Sequence, residues 1–227
     1  MTEPPVVPRP QRDPFSATGA LAYGWGMVRA NVGPLAAIVL VLLLVSAVET
    51  WLSRGSDSAI GTVAAALASV FISLVIGLGL IRAALTIIDG EHPTVAHLLS
   101  AKDLWPYVLA SLVVATVVTL GLLLCVLPGI LAAYLLQFYG YAIIDRRADS
   151  VTTAAQASAS GALRASIEVA AGNVGPLLRL AVLCFLVNVV GALLLLVGLL
   201  VTLPVTAIAV AYAWRYFTGG PIAPVEA

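Results

Sequence analysis

The chain has 227 residues, 61% of them hydrophobic and 10% charged, and a mean hydropathy of +1.08. Soluble domains lie nearer half apolar and a quarter charged, so lipid is the expected main solvent. The formal net charge is zero and no long basic block occurs, which excludes the electrostatic footprint of a nucleic-acid binder.

Residues 1–14 carry prolines at positions 4, 5, 8, 10 and 14 and contain no apolar run of the kind a secretory signal needs. They are expected to form a disordered tail. A short amphipathic segment follows, with Leu21, Trp25 and Val28 on one helical face by i, i+4, i+7 spacing. Such a stripe can lie in the acyl boundary of the membrane or against the helix bundle. The element Asn31-Val32-Gly33-Pro34 is expected to end this segment and start a vertical helix, because proline is tolerated in a first helical turn.

Apolar runs then predict six transmembrane helices at about 20 residues per crossing. They are placed near Pro34–Ser53, Ser58–Ile88, Leu104–Val126, Pro128–Ile144, Val174–Val197 and Leu199–Phe217. Leu127-Pro128-Gly129 and Leu203-Pro204 are expected to act as helix starts for the fourth and sixth. No polar turn separates the last two spans, so Gly191, Gly198 and Pro204 are the candidate reversal points. The fold class is thus an all-α polytopic bundle over residues 15–217, with a short tail at 218–227.

Sorting the cations by these spans leaves Arg54 alone on one side, and Arg9, Arg12, Arg29, Arg82, Lys102, Arg146, Arg147, Arg164, Arg179 and Arg215 on the side of both termini. Positive charge marks the cytoplasmic face, so both termini are expected there. A repeat supports the same topology. GALAYGWGMVRANVGPL at 19–35 and GALRASIEVAAGNVGPL at 161–177 align without a gap at an offset of 142. A weaker copy, with Val95, Leu98 and Leu99 before Pro106, lies between them. The expected plan is three parallel hairpin units, each preceded by a short amphipathic interfacial helix, with Leu163, Ile167 and Ala170 as the apolar face of the last copy.

Polar residues within spans are costly and head the list of functional candidates. Gln137 and Asn188 lie deep enough for an intramembrane polar contact, either as interhelical glue or to a substrate. Arg82, Arg146 and Arg147 gather near the cytoplasmic ends of spans two and four, with Asp89 and Asp145, and are candidates for contact with an anionic lipid headgroup or for plain boundary anchoring. Arg179 and Glu49 complete the set. In span two, Gly61, Ala65, Ser69, Ser73 and Gly77 recur every four residues, a small-residue face suited to close helix packing, most economically inside the bundle. Cys125 and Cys184 sit in apolar runs and read as structural. His92 and His97 are five residues apart with Pro93 between them, which fits no standard helical metal pair. No catalytic or phosphate-binding fingerprint occurs, so no cofactor and no enzymatic activity are expected.

The order of Trp25 with the first Asn-Val-Gly-Pro, then DGEHPTVAHLL, LPGILAAYLLQFYGYAIIDR and the second Asn-Val-Gly-Pro resembles a broad family of bacterial six-helix membrane proteins. That family includes the membrane domain attached to some glycerophosphodiester phosphodiesterases. The resemblance implies a multi-pass protein of the bacterial inner membrane. It brings no phosphodiesterase domain and hence no activity. The expected function is a scaffold or accessory subunit that binds membrane lipids, another membrane protein or a second copy of itself, with a small transporter or lipid-handling protein as the alternative.

Overall fold

A computed structural model describes residues 14–33, 50, 59–93, 103–145, 147–148, 158–194 and 198–225. The described residues form eight helical segments: α1 (Ala17–Ala30), α2 (Ala59–Ile88), α3 (Leu104–Leu124), α4 (Val126–Leu135), α5 (Tyr139–Ile144), α6 (Ala159–Gly172), α7 (Val174–Leu193) and α8 (Leu199–Thr218). Among them no residue is in a strand. Five helices are long and apolar enough to cross a membrane, with α4 and α5 together counting as one over Val126–Ile144. These match the second to sixth expected spans; the first, apart from Thr50, and the middle amphipathic copy lie outside the described residues.

The buried core sits at one end. It gathers the last turns of α2 (Leu78, Ala83, Ala84, Ile87, Ile88), Tyr141, Ala142 and Ile143 of α5 and the stretch of α8 from Val205 to Trp214. Away from that end the large side chains of α2, α3 and α7 are exposed, among them Leu67, Phe71, Leu123, Leu124, Phe185 and Leu193. Leu and Phe on such faces are what lipid-facing helices require. The small-residue face of α2 is half-buried at Gly61, Ala65 and Ser69. Gly77, at its inner end, lies against the Tyr107 hydroxyl of α3, whereas Ser73, one turn earlier, is exposed.

The short helices pack on the bundle, and only part of each expected stripe takes part: Val28 and Ala170 are buried and Leu21 is partly so. In α1 the packed face is Ala20, Gly24, Met27 and Val28, while Trp25 is 43% exposed with the Arg29 guanidinium over its ring at 4.8 Å. In α6 it is Ala162, Ala165, Ser166 and Ala170, with Ile167 turned outward. Small residues win these faces because backbones must approach closely. A methyl on Gly24 would sit 2.5 Å from the Val205 carbonyl oxygen, so α1 lies directly on the α8 backbone. It runs antiparallel to α8, from Phe15 beside Phe217 to Gly24 beside Val205.

Both helices are capped alike. Ser16 and Ser158 accept from the amides of Gly19 and Gly161 at 3.2 and 3.1 Å, an N-cap that meets one of the open first-turn donors. At the other end the Asn31 and Asn173 amides donate to Met27 and Val169 carbonyls. After Asn173 the chain turns into α7, whose first turn holds Pro176, as the proline rule requires.

Two expected details are corrected. Of the candidate reversal points, Gly191 and Gly198 flank the passage from α7, ending at Leu193, to α8, starting at Leu199, with their backbones in contact, whereas Pro204 lies inside α8 instead of starting it. The fourth span is also not one continuous helix: it breaks at residues 136–138.

Candidate functional site

The break in the fourth span shows how a polar side chain is used in this fold. Non-helical backbone at membrane depth needs protein partners, since lipid offers none. Ser166, fully buried on α6, supplies both: its Oγ accepts from the Phe138 amide at 3.0 Å and donates to the Leu135 carbonyl at 2.8 Å. The Tyr134 hydroxyl reaches the Ala170 and Val174 carbonyls on the same side. Gln137 stands in this break, and its Nε2 is buried without a hydrogen-bond partner.

Between the last two helices, Asn188 of α7 donates to Thr206 of α8 at 3.3 Å, the interhelical contact expected of a mid-span amide. The Asn188 Oδ1 and the Thr202 Oγ1 are buried without a hydrogen-bond partner.

The main concentration of charge lies where α2, α5 and α8 end. Asp145, which caps α5 with a fully buried side chain, accepts from the Arg147 amide and from Trp214 Nε1, both at 2.9 Å, and is paired with the Arg215 guanidinium. Arg215 is 1% exposed and reaches Asp89 at 3.1 Å and the Pro221 carbonyl at 3.1 Å. Arg147, half-exposed, pairs with Asp89 at 3.3 Å and Glu91 at 3.4 Å. The cluster therefore grades from a dry arginine–aspartate pair to an open rim. Burial pushes the Asp145 carboxyl above the usual carboxylate range, against the opposing pull of Arg215, the Arg147 amide and Trp214.

The segment after α8 closes over this end. The Ala223 amide donates to the Ile88 carbonyl at 2.8 Å, and its carbonyl accepts from the Tyr23 hydroxyl at 2.9 Å. Residues 219–225 thus join α1, α2 and α8.

The proposed lipid-contact arginines have different surroundings. Arg82 is buried in α2 with Asp103 as its electrostatic neighbour, Arg147 is engaged by two carboxylates, and Arg146 lies outside the described residues. His92 is held by Asn31, with Nδ1 and Oδ1 2.9 Å apart; His97 lies outside the described residues. Sequence reasoning missed Ser166 and the central place of Arg215. Arg215 was legible only as one cation among ten on its side, and Ser166 carried no signal beyond its match to Gly24 in the repeat.

Five apolar helices with their packed, charged end define a helical membrane protein. No family model matches the chain. It is 30% identical over 148 residues to an uncharacterised protein of Mycobacterium tuberculosis strain H37Rv, a match covering 63% of this chain and 42% of that protein. A counterpart from Mycobacterium bovis is 29% identical with the same coverage. The chain thus spans less than half the length of these curated relatives. Neither is described as a phosphodiesterase, and no solved structure matches.

Proposed function

We propose that the chain is a non-enzymatic protein of the bacterial inner membrane, with both termini cytoplasmic, that acts as a scaffold or accessory subunit by binding protein or lipid. The observation that carries this reading is the Arg215 cluster. Its two most buried carboxylates are paired to arginines that join three helix ends, which is the chemistry of a fixed fastening and not of a proton-transfer site.

The packing also suits three repeated units in a ring. The short helix α6 packs on the span before it in sequence, and α1 packs on the last span, α8, as the closing member of such a ring would. Asp89, Asp145 and Arg215 then stand at the ends of the second spans of the first, second and third units.

A second reading, a small transporter or lipid-handling protein, is favoured by the broken fourth span and by the buried, unpartnered polar atoms of Gln137, Asn188 and Thr202. Broken helices and intramembrane amides often mark a substrate path. Purification of the full chain in mild detergent should distinguish the two. A stoichiometric second protein is the expected result; a solute retained at one per chain, with no protein, would favour transport instead.

Orientation has its own test, in a background with Cys125 and Cys184 replaced by alanine. A cysteine at Ser56 should react with an impermeant thiol reagent in intact cells, and cysteines in residues 1–14 should not. Labelling of the tail would reverse the topology.

A further inference from the structure

A groove of about 770 Å³ opens between the start of α1 and the first turns of α7. Its walls are apolar, including Phe15, Pro176, Leu178, Val182 and Leu183, and Leu178 and Val182 are half-exposed. Three polar residues stand in it. The Ser16 and Thr18 hydroxyls are 3.0 Å apart at the α1 N-terminus, and the exposed Arg179 has no ion-pair partner among the described residues. Arg179 lies five residues into α7, about 8 Å along its axis at 1.5 Å per residue. The groove is at the end of the bundle where α8 finishes, as the contacts of Phe15 with Tyr216 and Phe217 show.

We infer that this groove binds one anionic glycerophospholipid, its phosphate on Arg179 and the Ser16–Thr18 hydroxyls and an acyl chain along Leu178 and Val182. Charge complementarity selects this occupant. A guanidinium can give a phosphate paired hydrogen bonds, while the apolar walls give a free phosphate nothing. Arg147, by contrast, has its charge engaged by Asp89 and Glu91.

This deepens the binding reading above and rests on it. The test is native mass spectrometry of the full chain in mild detergent, titrated with phosphatidylglycerol or with phosphatidylcholine of the same acyl chains. The parent should retain one phosphatidylglycerol where phosphatidylcholine is lost. R179Q should weaken phosphatidylglycerol retention about fivefold, the scale of one basic residue at an anionic lipid surface, and leave phosphatidylcholine unchanged. R164Q, on the exposed face of α6, should alter neither. V182W should reduce both lipids by filling the wall, with melting behaviour confirming that each variant folds. Equal phosphatidylglycerol retention by parent and R179Q, no headgroup preference in the parent, or a preference that emerges only when residues 1–13 are removed would overturn the site. A protein partner that copurified with R179Q as with the parent would show the scaffold reading to stand without it.

Discussion

Replacing Arg215 with methionine should destabilise the folded protein by about 3–5 kcal/mol, because it leaves two carboxylates near each other without their shared cation. Asp145 is fully buried and Asp89 largely so, and both face the same guanidinium. For a chain of this size that corresponds to a fall in melting temperature of roughly 10 °C or more. The loss should belong to the uncompensated charge and not to the guanidinium's bulk. Adding D89N and D145N to R215M should therefore recover part of it, since an asparagine at position 145 removes the charge and keeps an oxygen for one of the two donors, Trp214 Nε1 or the Arg147 amide, that the carboxylate serves with separate oxygens. R215K should fall between, because one ammonium cannot match the planar fork that spans Asp89, Asp145 and the Pro221 carbonyl. A loss under about 1 kcal/mol for R215M, the scale of an exposed ion pair, would mean that the cluster does not fasten the helix ends.

Removing the Ser166 hydroxyl is the second large effect. S166A should cost about 2–6 kcal/mol, because the Phe138 amide and Leu135 carbonyl both lose their partner in a buried site, at about 1–3 kcal/mol for each orphaned group. S158A provides a comparison within the same helix: it removes the N-cap at the half-buried start of α6, worth about 1 kcal/mol. Hydrogen exchange at the Phe138 amide should accelerate in S166A and remain slow in S158A. If S166A cost no more than S158A and left that amide protected, the break in the fourth span would have to be held by other contacts.

Much of the fold was legible because lipid imposes a simple code. Apolar runs near 20 residues fixed the ends of the second to sixth spans to within a few positions, and Asn-Val-Gly-Pro marked the passage from α6 into α7 at Asn173. The apolar faces of the short helices were legible only in part: Val28, Ala170 and partly Leu21 pack inward, while Trp25 and Ile167 are exposed. Trp25 and Ile167 carry hydropathy without being packed, since in a bilayer hydropathy does not distinguish the lipid side of a helix from its protein side. Close approach does, and it selected Gly24, Ala20 and Ala162.

By itself, the sequence determined that this chain is built for lipid, roughly where its second to sixth spans begin and end, and that a mid-span amide such as Asn188 would need a partner. Those properties follow from the cost of exposing backbone and charge to hydrocarbon, a cost each segment bears locally. Only the tertiary structure decided which partners the polar side chains take: Ser166 to a break 28 residues earlier, Trp214 and Arg215 to Asp145, and Arg179 left facing a groove. A hydrogen bond or ion pair depends on distances of about 3 Å between helices far apart in sequence, and nothing in one segment's composition encodes where the others will stand.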